Sequence, residues 1–408
     1  MAGYQLLQDV VVLEVSQFGP DALGGHLADL GATVIKVEPP GEGDPLRTSG
    51  GHAYGSPDGF GLLHMRWNRG KKSVTLDLKA DAGKAAFRAL ADKADIVIEG
   101  MRAGVLERLG LGAEELRSSN PRLVFCSVSG LGSSGPYHGL GSHGPSFDGF
   151  GALAPVEDSP SGVGVRFLPD QVPVGMHAMG LFAAIGTLGA LHRARTTGEG
   201  SYVEVAAADC TALWRHGGVD VALGGDALHV RPGFANDNGK MVGWPRLQPY
   251  RTSDGLAILF QAQKMKFWRA FCDAVGRPDL QQIYERSPDV TAAEDEVYGA
   301  LCALFATRTL NEWMTLFVEN DIPGLPVNDV ESLAVDPHFL ARGNVYEARL
   351  ATGETARLTG TPIKVAMQDP FAPALAPALG ADTNDVLTEF LGMTEDEVGE
   401  LRRGGVID

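Results

Sequence analysis

The chain has 408 residues, of which 44% are hydrophobic and 21% charged, and a formal net charge of −17. That composition excludes a largely disordered chain and supplies material for about two or three domains. The acidic balance excludes a nucleic-acid partner, which would want a basic face, but still allows a local cluster of cations that holds an anionic small ligand.

In chain order, VVVLEVSQFG (10–19) reads as a buried strand running into a loop, and DALGGHLADLGA (21–32) as a helix with small residues on one face. TVIKVEPP (33–40) is a second strand, stopped by two prolines that cannot donate to a sheet ladder. This β-α-β unit predicts a parallel, doubly wound sheet. KSVTLDLK (72–79), DIVIEGM (95–101) and RLVFCSVSGLG (122–132) continue the strands. ADAGKAAFRALADKA (80–94) and the helical pieces of 104–120 lie between them. Residues 133–165 are rich in Gly, Ser and Pro and read as a long functional loop. A helical run over 174–195 follows, then a turn (196–200) and a strand, SYVEVA (201–206). The run's small, apolar stretch is broken by His177 and several glycines, which predicts a buried helix and no membrane span. Residues 245–330 change texture, with the hairpin-like YRTSDGLAILFQA and amphipathic KMKFWRAFCDAVG and TLNEWMTLFVEND, and predict a smaller domain. Residues 322–343 read as a linker with a short helix, and 383–407 as two short helices.

Few motifs stand out. The first crossover, SQFGPDALGG, lacks G-x-G-x-x-G, and no Walker loop, H-E-x-x-H or G-x-S-x-G occurs. Cys126, Cys210, Cys272 and Cys302 are too scattered for a zinc site and read as reduced thiols. The opening MAGYQLLQDVVVLEV lacks a basic segment followed by an apolar one, so the expectation is a cytoplasmic protein. RWNRGKKSV groups Arg66, Arg69, Lys71 and Lys72 before a strand, either as a solvated loop or as a site for a phosphorylated ligand. Gly130 and Gly132 are either a plain turn or backbone donors to an anion. FLPDQVPVGMHAMGLF carries one carboxylate, Asp170, which either shapes a turn or acts as a nucleophile.

The segments VLEVSQFGPDALGGHLADLGATVIKVEPPGEGDPLR, WNRGKKSVTLDLK, NPRLVFCSVSGLGSSGPY, GALHRARTTGEGSYVEV, DIPGLPVNDVESLAVDPHFLARG and APALGADTNDVLTEFLG together resemble the family III CoA-transferases, the CaiB/BaiF group that includes carnitine CoA-transferases and α-methylacyl-CoA racemases. The resemblance covers nearly the whole chain in order. It implies an α/β protein with a Rossmann-like large domain built from both chain ends, a smaller α+β domain between them, and an interlocked homodimer. Mapped on this chain, the large domain takes residues 1–205, a linker 206–244, the small domain 245–325, and a linker with the return to the large domain 326–408. Coenzyme A, as acyl-CoA substrate, would be held by Ser16, Gln17 and Phe18, by Asn68, Arg69, Lys71 and Lys72, by Gly100 and Met101, and by Arg108. Gln17 stands where Arg or His is common, Gly100 and Met101 replace an Asn-Phe pair, and Pro39 and Pro40 replace a pair that often includes Arg. No metal or redox cofactor, nucleic acid or membrane is expected.

The resemblance also implies a nucleophile. Asp170 is the first candidate, although Gly175 follows it by five positions where the family pattern has four, and counting back from GALHRAR puts the family position near Met176; Asp148 in SFDGF is the rival. Three functions stay open. A transferase would pass CoA to a free acid through an aspartyl-CoA intermediate. A racemase would pair His143 with Asp170, yet Arg251 stands where racemases carry a glutamate. A homologue with altered chemistry would bind acyl-CoA alone.

Overall fold

The structure, a computed structural model, describes residues 4–49, 61–168, 172–215, 218–225, 245–286, 290–350, 353–368 and 375–408. It divides into one unit made of Met1–Leu223 and Gly343–Asp408 and a second made of Gly224–Arg342.

The first unit is an α/β layer structure. Its early elements are β1 (Val11–Ser16), α1 (Asp21–Asp29), β2 (Thr33–Glu38), α2 (Leu62–Asn68), β3 (Lys72–Thr75), α3 (Asp81–Lys93) and β4 (Ile96–Gly100). Next come α4 (Val105–Arg108), α5 (Ala113–Ser119), β5 (Val124–Ser129), α6 (Pro145–Phe150), β6 (Val156–Asp158), β7 (Val165–Phe167), α7 (Gly175–Thr197), β8 (Ser201–Ala206) and α8 (Ala207–Leu213). Six strands form one parallel sheet in the order β3-β2-β1-β4-β5-β8. A parallel sheet is covered on both faces, which is why its strands read as near-continuous apolar runs. One face packs Val12, Val34, Ile98 and Cys126 against Leu23, Leu27, Met179 and Ala183 of α1 and α7. The other packs Leu13, Ile35, Val97 and Phe125 against Phe87, Leu90 and the C-terminal Val386, Leu387 and Ile407.

The chain leaves β1 toward β2 and β3, then returns to build β4, β5 and β8 on the other side. The order therefore reverses between β1 and β4, and a crevice opens beyond the carboxyl ends of those strands. The C-terminal segment protects the β3 edge: Ser73 N–H donates to Asp382 Oδ2 at 2.9 Å and Thr75 N–H to Thr383 Oγ1 at 3.1 Å.

Residues 133–165, read from the sequence as loop, contain α6 and β6, which pairs antiparallel with β7 at the segment's end. Pro145 suits the first helical position, and the single apolar anchor Phe147 is 5% exposed, too little periodicity to show in the sequence. The stretch after β8 is also structured: Ala207 and Cys210 of α8 are buried in the first unit's core.

After α9 (Gly218–Gly224), the second unit holds β9 (Gln248–Arg251), β10 (Ala257–Phe260), α10 (Met265–Ala274), α11 (Pro278–Arg286), α12 (Val290–Phe305), α13 (Leu310–Glu319) and β11 (Gly324–Pro326). Its antiparallel sheet, β11-β10-β9, covers an aromatic core in which Phe260 and Phe271 lie 4.5 Å apart and Tyr250 and Phe305 stack at 4.7 Å. Thr309 and Glu312 form a capping box on α13. No described helix is long and apolar enough to cross a membrane.

Candidate active site

The β1–α1 turn sets the centre of the crevice. Asp21 N–H donates to Phe18 O at 3.1 Å, and Phe18 is held at φ 59°, a backbone region that costs a non-glycine residue about 1–3 kcal/mol and that clusters at functional sites. Across from it β4 ends on Gly100. A Cβ there would lie 2.4 Å from both Ser16 Cβ and Pro20 Cβ, so only glycine lets the two strand ends close this tightly.

Two hollows flank this contact and share Gln17 and Met101. The first, about 420 Å³, lies beyond β1, β4 and β5. Its walls are mostly apolar, with Phe18, Phe147, Met176 and Met179 among them, and its polar groups include Arg102 and His143. The second, about 320 Å³, lies beyond β1, β2 and β3; Ser16, Asp44, Lys79 and Arg108 reach it.

A buried ionic network supports the turn. Lys36 Nζ bonds Asp21 Oδ1 at 2.6 Å and lies 2.9 Å from Asp44 Oδ2. Lys71 Nζ lies 2.5 Å from Glu14 Oε2, and it donates to Asp21 O and Asn68 Oδ1, each at 2.9 Å. Asn68 Nδ2 in turn donates to Asp21 Oδ2 at 3.0 Å. Burial alone would raise the Asp21 carboxyl, but Lys36 and Lys71 overcome it and hold it well below the usual range. Asp44 is pushed up to about 7 by burial and then by Asp21. Glu99, the last buried side chain of β4, accepts from Leu106 N–H at 3.3 Å and Ser127 Oγ at 3.2 Å; burial and then Glu107 push it up to about 7.

The expected coenzyme residues divide into two groups. Ser16, Gln17, Phe18, Gly100, Met101 and Arg108 line one or both hollows. Asn68, Arg69, Lys71 and Lys72 line neither. Asn68 and Lys71 are spent inside the ionic network, and Arg69 grips the buried Asp29 carboxylate with its Nε at 2.9 Å. Lys72 is part-exposed and sits 3.8 Å from Asp382. Lys79, which the sequence reading passed over, does reach the second hollow. Its signal was a cation four residues past the end of β3, beyond the carboxyl edge of a parallel sheet.

Among the candidate reacting groups, Asp170 lies outside the described residues. Asp148 is 1% exposed and lines neither hollow; its Oδ1 accepts the Val174 and Gly175 N–H groups, both at 3.0 Å. His143 lines the first hollow and meets Phe18 edge-on, with ring centroids 5.5 Å apart. Among the described residues its imidazole has no carboxylate partner. Gly130 and Gly132 also line the first hollow. Arg251 is on β9 of the second unit, donating to Gly255 O at 2.6 Å.

A family model described as CoA-transferase family III matches residues 7–383. The chain is 33% identical over 422 residues to a succinyl-CoA–D-citramalate CoA-transferase from Chloroflexus aurantiacus, covering 98% of each chain. It is 29% identical to a formyl-CoA:oxalate CoA-transferase from Rhodopseudomonas palustris, covering 94% of this chain and 92% of the relative. Among solved structures it is similar to Rv3272 from Mycobacterium tuberculosis, with a TM-score of 0.77, 26% identity, and coverage of 94% of this chain and 99% of that one.

Proposed function

The chain belongs to CoA-transferase family III and is a CoA-transferase, and from that premise we propose that it moves CoA from an acyl-CoA to a free carboxylic acid through a covalent intermediate on Asp170. The supporting observation is the pair of hollows that share Gln17 and Met101 at the β1/β4 reversal. One carries two cations, Lys79 and Arg108, that would take the coenzyme phosphates, beside the carboxyls of Glu38, Asp44 and Asp77. The other is apolar and walled by the start of α7, the helix that begins a few residues after Asp170.

The chemistry divides one exchange into steps of similar energy. The Asp170 carboxylate attacks the thioester carbonyl, the C–S bond breaks, and a mixed anhydride and CoA thiolate form. The thiolate attacks the aspartyl carbonyl of the anhydride, releasing the first acid and leaving an aspartyl-CoA thioester. The acceptor carboxylate attacks that thioester, again expelling thiolate and forming a second anhydride. The thiolate then attacks the acceptor's acyl carbon, yielding the new acyl-CoA and restoring the Asp170 carboxylate. Neither anhydride survives water, so the apolar wall of Phe18, Met176 and Met179 serves to keep it out. Gly130 lines the same hollow, and in this reading its backbone N–H would face the developing oxyanions, whereas the Gly132 N–H is taken by Ser129 Oγ at 3.0 Å. The active form in this reading is the homodimer.

The scheme releases the first acid before the second reacts. Initial rates with a succinyl-CoA donor and a panel of acceptor acids should therefore give parallel double-reciprocal lines. Lines that intersect for every accepted acid would rule out release of the first acid before the acceptor binds.

A further inference from the structure

We infer that Asp148 is a positioning residue: its carboxylate fixes the start of α7 and, through it, the apolar wall of the first hollow. The helix needs such a group from elsewhere. Val174, its N-cap, has no side-chain bond to offer, and the first amides of a helix lack intrahelical partners. Asp148, on α6, accepts two of those amides with Oδ1, at Val174 and Gly175. A carboxylate at that position also complements the positive end of the helix dipole.

The rest of Asp148 is tied down as well. Its carbonyl accepts from Leu153 N–H at 2.8 Å and Ala154 N–H at 3.0 Å. The junction around it is closely packed. A Cβ on Gly175 would lie 2.8 Å from both Phe147 Cβ and Thr211 Cγ2, and one on Gly151 would lie 2.1 Å from Thr211 Oγ1. Thr211 Oγ1 on α8 lies 2.9 Å from Phe147 O, so three helices meet on this point. Asp148 Oδ2 is buried and has no hydrogen-bond partner among the described residues. With one oxygen committed to two amides and the other enclosed, the group is built to hold backbone and not to reach a thioester. What it holds matters for catalysis, because Phe147 precedes it and Met176 and Met179 follow the capped amides, and all three line the first hollow.

The inference rests on placing acyl exchange in the first hollow, and not on which carboxylate attacks. The test compares Asp148→Asn, Asp148→Ser and Asp148→Ala in the full-length enzyme, with kcat, KM for acyl-CoA and Tm measured for each. Misplacing a reacting group by about 1 Å costs on the order of 100-fold, so Asp148→Ala should lose about 100-fold in kcat with KM changed by less than about threefold. Asparagine keeps an oxygen that can accept both amides, so Asp148→Asn should recover kcat to within about fivefold of the parent. Serine can accept one amide and should fall between them, at a loss of about tenfold, and it decides the matter if the alanine variant does not fold. A folded alanine or serine variant with parental kcat overturns the inference. So does a folded Asp148→Asn enzyme as inactive as the alanine variant, because then the charge itself takes part in the reaction. If instead the Asp170 assignment is what fails, Asp170→Asn keeps its rate while the Asp148 series still ranks Asp, Asn, Ser, Ala.

Discussion

Replacing Asp170 by Asn should abolish CoA exchange, lowering kcat by about 10³-fold or more while leaving Tm and KM for acyl-CoA close to the parent values. An amide is almost isosteric with the carboxylate but is a poor nucleophile toward a thioester. If Asp170 only shaped the turn before α7, the amide would serve nearly as well, since it offers the same acceptor oxygen. The substitution thus separates the two readings of the Pro-flanked FLPDQVP stretch. Retention of more than about a tenth of the parental rate would favour the structural reading. Asp148, the rival on sequence grounds, is committed to the α7 amides, so its asparagine variant should behave in the opposite way.

The second large effect separates cations that face the coenzyme from cations that hold the fold. Arg108→Ala and Lys79→Ala should each raise KM for acyl-CoA about tenfold, with kcat and Tm little changed, because in the proposed reading each would remove a charge-assisted contact to phosphate made by an exposed side chain. Lys71→Met should do the reverse. It leaves the fully buried Glu14 carboxylate without its partner, and breaking such a pair costs roughly 3 kcal/mol or more of stability. Burial raises Glu14 and lowers Lys71 despite their mutual attraction, which marks the pair as a strained part of the interior and not a solvent-facing site. Steady-state kinetics beside thermal melts distinguish the two classes. A Lys71→Met enzyme with unchanged Tm and a raised KM would return Lys71 to the coenzyme, and unchanged KM in both alanine variants would remove Lys79 and Arg108 from it.

These cations show what the sequence could and could not convey. The strands were legible because a sheet covered on both faces demands unbroken apolar runs such as VVLEV and DIVIE, and the prolines after β2 marked its end. The family was legible from motifs spread along the chain in order. The destination of a charge was not. Arg69, Lys71 and Lys72 sit together in the sequence, yet Lys71 turns inward to Glu14, 57 positions away, and Arg69 to Asp29, 40 positions away. No local pattern distinguishes a lysine that faces solvent from one that meets a carboxylate on another strand. Lys79 stands alone in its stretch, and only its place beyond the carboxyl edge of β3 brings it to the second hollow. The role of Asp148 was hidden for the same reason, because the amides it holds lie 26 and 27 positions downstream.

The central claim is a carboxylate at position 170 that becomes bonded to CoA, and it can be read directly. The enzyme is incubated with acyl-CoA alone, quenched with hydroxylamine, digested and mapped by mass spectrometry. The account predicts a hydroxamate on the side chain of Asp170, dependent on acyl-CoA. A modified Asp148, or an unmodified Asp170 in enzyme that still exchanges CoA, would contradict it.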